Sequence, residues 1–378
     1  SMRIHEVDTR QRRDVNRFIN FVFELYKDCE QWVPPLLPDA RFQLNREKNS
    51  FYKYNDATFF IAEQDGVDVG RICVFEPRTY NEFKGVQNAH FTSFDAVDDQ
   101  DVANALFDAA VEWAHKRGLN HLRGPLGFRV LDGFGALAEG FEHRPALNIP
   151  YNYPYYIRLI ENWGFELEER VYSGYVDVIE TIKNFPQRVI TIAEKVRQRY
   201  GFEVVTFDSK REIVEKIAPR LAEVYNRSLT HIAGDPPVTQ EEVKDLADSL
   251  LLIADPKLLK FIMKDGELVG FMFAFPDVGE GIQRAKGRLF PFGIFQILLS
   301  LRRTKWLNFN GMGILPEYQG MGGTALMYAE LYNTLADNPR FKHGDVVQIS
   351  EYNVQSLNEM KKFGIDFYKT HHIYKRDI

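Results

Sequence analysis

Residues 59–75 read FFIAEQDGVDVGRICVF, and residues 259–275 read LKFIMKDGELVGFMFAF. Each is an apolar run, an Asp-Gly turn, a short polar step, Val-Gly and a second apolar run. Gly and Asp tolerate the positive φ of a tight turn, so the pattern predicts a β-hairpin in both places. The offset is 265 − 65 = 200 at the Asp and 270 − 70 = 200 at the second Gly. One hairpin of this kind recurs by chance. The same offset returns where Asn162-Trp163-Gly164-Phe165 stands against Lys362-Phe363-Gly364-Ile365, since 364 − 164 = 200. Each of these stretches closes a helix-like segment on Gly. A strand-like segment follows, Val171–Val178 in one half and His372–Tyr374 in the other. Upstream, Phe23-Glu24-Leu25-Tyr26 resembles Ala222-Glu223-Val224-Tyr225 at an offset of 199. Unrelated features at one offset point to a duplicated domain.

Outward from the hairpins, each half reads as strand, helices, hairpin, strand, helix, strand, helix, strand. In the second half the expected elements are a strand at Glu203–Phe207, helices at Ile213–Leu229 and Glu241–Leu251, and the hairpin. After it come Leu307–Ile314, a helix over Gly323–Ala336, Val346–Ser350, a helix over Val354–Phe363 and a last strand. The fold class is therefore α/β (α+β): two tandem domains, each a mixed central sheet flanked by helices. The chain of 378 residues is long enough for two cores. The segment Phe185–Tyr200 predicts a helix from Pro186, a favoured first-turn residue, and is expected to bridge the halves. The boundary falls within 180–202, which divides the chain into 1–185 and 186–378.

The net charge is −6, so no global field attracts polyanions and nucleic acid is not an expected partner. Cys29 and Cys73 have no Cys or His at metal-ligand spacing, so no metal is expected. They read as reduced thiols, which fits the cytoplasm. Ser1 before Met2 reads as a cleavage scar. The most apolar run, Leu289–Leu301, is broken by Pro291 and Gly293 and is shorter than the ~20 residues a bilayer span needs. The expectation is a soluble, cytoplasmic protein.

Residues 306–328 read WLNFNGMGILPEYQGMGGTALMY. An apolar strand runs into Pro316, a Gly-rich turn follows, and a helix-forming run begins. A Gly-rich turn between a strand and a helix N-terminus is an anion-binding device, because unpaired N–H groups and the helix dipole face outward. A plain strand–turn–helix with glycine in the turn reads equally well from these residues alone. No Gly-Lys-Ser/Thr follows, so this is not a P-loop. Gly320, Gly322 and Gly323 do not fit the dinucleotide spacing either.

The run Pro316–Ala325 resembles the pyrophosphate loop of the GNAT acyltransferases, Gln/Arg-x-x-Gly-x-Gly/Ala. Gln319 and Gly322 match, and Thr324 stands where Gly or Ala is usual. Downstream, Asn353, Ser356, Gly364 and Ile365 fall on the family's Asn-x-x-Ala…Gly-Phe pattern, with Ser for Ala and Ile for Phe. The resemblance covers most of 202–378 and extends to bacterial tandem-GNAT proteins. It implies two GNAT-like domains and an acyl-CoA ligand, acetyl-CoA or another acyl-CoA. By the same resemblance, amides of Gly320, Met321, Gly322, Gly323 and Thr324 would hold the pyrophosphate. The strand edge at Met312, Gly313 and Ile314 would bind the pantetheine arm, with Asn353 beside it. The chemistry would be attack of an amine on a thioester, which needs a base, oxyanion donors and an acid for the thiolate.

The pattern breaks at the acid. The family's Tyr, seven residues after the Asn, is here Met360, which has no proton to give. Tyr352, Tyr368 and Tyr374 are nearby in sequence, and the choice among them stays open. Glu351, at the end of the fifth strand, is the candidate base; a solvated carboxylate at a strand end is the plainer reading. His371 and His372 are candidates for titration near neutrality, and the plainer reading puts them on an ordinary terminal strand.

In the first half the loop is replaced by Ala96-Val97-Asp98-Asp99-Gln100-Asp101, where three Asp would repel a pyrophosphate. They would instead cap a helix starting near Val102. An insertion, Gly124–Pro154, ends in Tyr151, Asn152, Tyr153, Tyr155 and Tyr156. Contact with an acceptor and packing between domains are equally open for that cluster. Finally, Gln283–Lys305 carries Arg284, Lys286, Arg288, Arg302, Arg303 and Lys305 and no acid, around an apolar run. Peripheral membrane contact or a greasy acceptor is one reading; a helix packed on the core is the commoner one.

Three functions stay open. The first is an acyl-CoA-dependent N-acyltransferase acting on an amine. The second is a non-catalytic acyl-CoA binding or sensing protein, for which Met360 speaks. The third is an aminoacyl- or lipid-type transferase on the same tandem fold; the loop and the net charge favour CoA over a tRNA-linked donor.

Overall fold

Both hairpins form, and they form alike. In the computed structural model Asp65 and Gly66 turn with φ of 52° and 81°, and Asp265 and Gly266 with 51° and 76°. Positive φ at both central residues gives the turn whose twist suits antiparallel strands. Beyond each turn the register slips at the same place. Ala62 faces Gly70 while Glu63 faces Asp68, and Ile262 faces Gly270 while Met263 faces Leu268. The residues left out of the ladder are Val69 and Val269, again 200 apart (269 − 69). The structure describes residues 1–233 and 235–378, apart from the side chains of 230–233.

The described residues form thirteen strands: β1 (Met2–Glu6), β2 (Asp56–Gln64), β3 (Val67–Glu76), β4 (Asn88–Ala96), β5 (His121–Gly124), β6 (Ala136–Glu139), β7 (Glu166–Asp177), β8 (Phe202–Val205), β9 (Leu259–Lys264), β10 (Glu267–Pro276), β11 (Trp306–Ile314), β12 (His343–Ser350) and β13 (Asp366–Asp377). Strands β7 and β13 begin and end 200 residues apart (366 − 166, 377 − 177). A glycine of positive φ precedes each, Gly164 at 120° and Gly364 at 79°. The repeat thus extends to turn, bulge, helix end and strand length.

The helices used below are α1 (Arg12–Leu25), α2 (Gln100–His115), α3 (Tyr155–Trp163), α4 (Gln187–Tyr200), α5 (Ala218–Ala233), α6 (Gly293–Arg303), α7 (Thr324–Asp337) and α8 (Val354–Lys362). The single helix expected over Ile213–Leu229 is two, Lys210–Lys216 and α5. The break falls just before Pro219, which has no N–H to continue the ladder.

The chain folds into two compact units: residues 1–172, 282–294 and 369–378, and residues 173–281 and 295–368. In the first, strands run β1-β2-β3-β4-β5, and Tyr374–Asp377 of β13 pair antiparallel with β5. In the second they run β8-β9-β10-β11-β12, with residues 173–177 of β7 beside β12, where the Ser173 hydroxyl accepts from the Gln348 N–H. Parallel pairing joins β4 to β5 and β11 to β12. This division differs from 1–185 and 186–378. Residues 173–185 go with the second unit, and 282–294 and 369–378 with the first; a strand goes where its backbone groups find a ladder. Helix α4, expected to bridge the halves, belongs to the second unit and packs on α7.

Alternation along β2 and β3 sets the first core. Phe60, Ala62, Ile72 and Val74 face one side with Phe91, Phe107 and Tyr156. Phe59, Ile61, Cys73 and Phe75 face the other with Phe18 of α1, as a period of two requires. Cys29 and Cys73 are free thiols. In the second unit Phe261, Phe271, Leu307 and Phe309 are buried, as are Leu326, Leu331 and Leu335 of α7.

Candidate functional site

The site grows from one irregularity in β11. Against β10, Phe273 faces Gly311 and Ala274 faces Phe309, so Asn310 bulges out of the ladder. A bulge bends its strand. Against β12 the parallel register runs only from Trp306 with His343 to Phe309 with Val346. Past that point β11 continues to Ile314 and β12 to Ser350 without a register between them. The predicted arm-binding residues, Met312, Gly313 and Ile314, pair with Met272, Phe271 and Gly270 on one edge. Their other edge is the one that β12 has left.

Two buried polar atoms belong to this stretch. Asn310 Oδ1 and Ser228 Oγ have no hydrogen-bond partner among the described residues. Ser228, on α5, is 1 % exposed, and its Cβ lies 3.1 Å from where a side chain on Gly313 would begin. Orphaned buried polar groups are costly. Ser228 was invisible to sequence reading. Asn308 and Asn310, two polar residues two apart in an apolar strand, were a legible signal.

The glycine-rich loop follows. Leu315 N–H donates to Val269 O, and Tyr318 N–H to Leu315 O. Gln319, a predicted ligand contact, donates its Nε2 to Ile314 O at 3.0 Å and so ties the loop to the strand end. Met321 and Gly322 leave helical geometry (φ −99° and 87°) before α7 begins at Thr324. At Gly322 a side chain would start 2.5 Å from Val196 of α4, and at Gly323 2.5 Å from Tyr318 O. Gly320 is exposed, with nothing within 4 Å of an added Cβ. The loop is therefore packed on one side and open at Gly320. Amides of a first helical turn lack intrahelical acceptors, so loop and strand edge together fit a pyrophosphate with an amide-bearing arm.

The other sequence candidates fall in several places. Asn353 caps α8: its Oδ1 accepts from the Ser356 N–H at 3.3 Å. Glu351 is half-buried in the turn between β12 and α8 and engages neighbours. Met360 is buried. Tyr352 is 70 % exposed. Tyr368 donates to Asp345, and burial together with that carboxylate pushes its hydroxyl pKa up. Asp345 lies opposite Asn308, whose Nδ2 donates to Asp277 Oδ2 at 3.1 Å. This buried polar chain at the root of the splayed strands was not read from sequence, because its members are scattered over 277–368.

Tyr374 and the histidines belong to the first unit. Tyr374 donates to Glu161 at 3.0 Å. His371 is buried, its Nε2 lies 2.9 Å from Pro150 O, and desolvation holds its pKa down to about 4.

The first unit repeats the geometry and fills it. Strand β4 pairs with β5 from Asn88 with His121 to His90 with Arg123, and it bulges between Thr92 and Asp95, where Ser93 has φ 51°. Here the edge meets tyrosines. Tyr155 donates to Ala96 O at 2.5 Å, and Ala96 N–H donates to the Tyr156 hydroxyl at 3.2 Å. Tyr156 and Tyr26 both donate to Asp95, at 2.9 and 3.1 Å, and Arg71 pairs with it at 3.0 Å. Asp99 caps α2 by accepting from the Asp101 N–H, as expected. Tyr153 stacks on Tyr26 at 4.7 Å and donates to Leu25 O. The aromatic cluster is thus the first unit's own packing.

No family model matches the chain. Over the whole length it is similar to solved structures of one architecture. A tandem GNAT protein from the clavulanic acid biosynthesis pathway, without AcCoA, superposes with a TM-score of 0.57 at 11 % identity, covering all of this chain and 98 % of that one. This is a tandem GNAT fold. Curated relatives are similar in sequence over nearly the whole chain: protein YghO of Escherichia coli (strain K12), 26 % identical over 372 residues (97 % of this chain, 94 % of that one), and a bacterial ceramide synthase of Caulobacter vibrioides (strain NA1000 / CB15N), 26 % identical over 371 residues (97 % and 95 %). Among the described residues, no helix of the chain is long and apolar enough to cross a membrane.

Proposed function

We propose that this chain is an acyl-CoA-dependent N-acyltransferase that acts by direct transfer, with its site in the second unit. The observation that carries the reading is the edge of β11 past Phe309, left by β12 and continued by a glycine loop open at Gly320. The co-substrate would supply a thioester, acetyl or longer. The amides of Gly320 to Thr324 would hold its pyrophosphate, and Met312 to Ile314 its arm, with Asn310 and Ser228 offering polar atoms. Gln319 and Asn353 act through the backbone, one fixing the loop and the other the start of α8. Glu351 is the proposed acceptor of the amine proton. The new C–N bond forms as the C–S bond breaks, and Met360 gives the thiolate no proton.

The acceptor is proposed to be a long-chain amine. This rests on the likeness to a protein named a ceramide synthase, since a ceramide is an N-acylated long-chain amino alcohol. The test is thermal stabilisation by acetyl-CoA and longer acyl-CoAs, followed by thiol release with short amines and with a long-chain amino alcohol. Ligand binding to the folded state raises the melting temperature. No shift with any acyl-CoA sinks the reading. A shift without thiol release from any amine would replace transfer by sensing.

A further inference from the structure

The segment between β10 and β11 does not hide its apolar residues. Phe290 is 78 % exposed, Phe292 74 % and Phe295 65 %, and Leu298 and Leu299 are also exposed. Helix α6 explains why. Ile297 is fully buried, and Ile294 and Leu301 lie within about 60° of it at 100° per residue. Phe295 and Leu299 lie about 160° from it on the opposite side, and Leu298 about 100° away on the flank. A helix that is apolar all round is normally buried; this one buries one side only. An exposed cluster of large apolar side chains marks a surface that meets something.

What it meets follows from charge. No Asp or Glu occurs between Glu280 and Glu317. Lys286, Arg288, Arg302, Arg303 and Lys305 are exposed before and after the aromatic residues. A second copy docking by this face about a two-fold axis would set basic rim against basic rim, with no carboxylate in the segment to relieve it. A nucleic acid would leave Phe295, Leu298 and Leu299 without apolar partners. An anionic bilayer supplies both halves of the match, since phosphates attract the rim and acyl chains take the apolar side chains. We infer that Phe295, Leu298 and Leu299, with the basic rim of Arg302, Arg303 and Lys305 in the same unit, dock the full chain onto an anionic lipid surface. This does not rest on the acyl-transfer reading.

The test is flotation of the full chain with two kinds of vesicle: phosphatidylcholine alone, and phosphatidylcholine with phosphatidylglycerol at roughly 7:3. The protein floats with the anionic vesicles and stays behind with the neutral ones. F295S/L298S/L299S lowers partitioning at least about tenfold with an unchanged melting temperature, because all three are exposed. R302E/R303E lowers it at least about tenfold as well, and raising salt from about 0.1 to 0.5 M releases the wild type. Failure to float, or flotation unaffected by both variants, overturns the inference. So does a wild-type dimer that F295S/L298S/L299S turns into monomer without vesicle binding, which would assign the face to a second copy. The charge variant and the salt series keep the test valid if the serine variant misfolds.

Discussion

The two units carry the same strand splay and treat it in opposite ways. Past His90, β4 leaves β5, and the Ala96 backbone is met by Tyr155 and Tyr156. Past Phe309, β11 leaves β12, and Asn310 and Ser228 keep polar atoms without partners among the described residues. The first splay is satisfied from within, by two hydroxyls, of which that of Tyr156 also donates to the half-buried Asp95 carboxylate. The second is not, and a glycine loop continues it. Duplicated architecture thus does not mean duplicated chemistry at the splay: the copy that fills its own edge stabilises itself, and the copy that leaves it open is the one proposed to take the ligand.

The largest test of this contrast is Gly320→Glu. Its Cβ enters open space, so the melting temperature without ligand stays unchanged. A carboxylate beside a pyrophosphate weakens acetyl-CoA binding on the order of a hundredfold or more. A thermal shift equal to wild type's would move the site elsewhere. Next is the pH dependence of the first unit. His371 has its folded pKa lowered to about 4, below the ordinary value of 6.5. The unfolded chain therefore binds the proton first as pH falls. The contribution is fully present above about pH 6.5 and is lost between there and about pH 4, roughly 3 kcal/mol in all. Urea unfolding followed through Trp32, Trp113 and Trp163, with Trp306 replaced by Phe, should show this slope, and His371→Gln should flatten it. An unchanged slope in that variant would falsify the assignment.

Gly322→Ala comes third. Its φ of 87° disfavours a side chain, and Val196 stands 2.5 Å from the added Cβ. The variant should lose about 1–3 kcal/mol of stability without ligand, which separates packing of the loop from its open face at Gly320. Smallest is Tyr156→Phe. Asp95 keeps Tyr26 and Arg71, so the loss is about 1–2 kcal/mol. The stabilisation by acetyl-CoA should not change; if it fell, the first unit's edge would take part in binding.

The sequence by itself determined the repeat and its local devices. Asp-Gly turns, the Asp99 cap, the glycines at 164 and 364 and the strand–loop–helix around Gly320 are set by neighbouring residues, and their patterns are written in consecutive letters. The fold followed from them, since hairpin and helix periods leave few ways to layer a mixed sheet. Tertiary structure alone decided the rest. It gave 173–185 to the second unit, and 282–294 and 369–378 to the first, and strands find their ladder partners among distant segments. It made Gln319 and Asn353 structural clamps and gathered Asp277, Asn308, Asp345 and Tyr368 across 92 residues (368 − 277 + 1). It plugged one splay with tyrosines and left the other open, and it turned Phe290, Phe292 and Phe295 outward. Burial belongs to surroundings and not to a residue, so an apolar letter carries no record of which side will be covered.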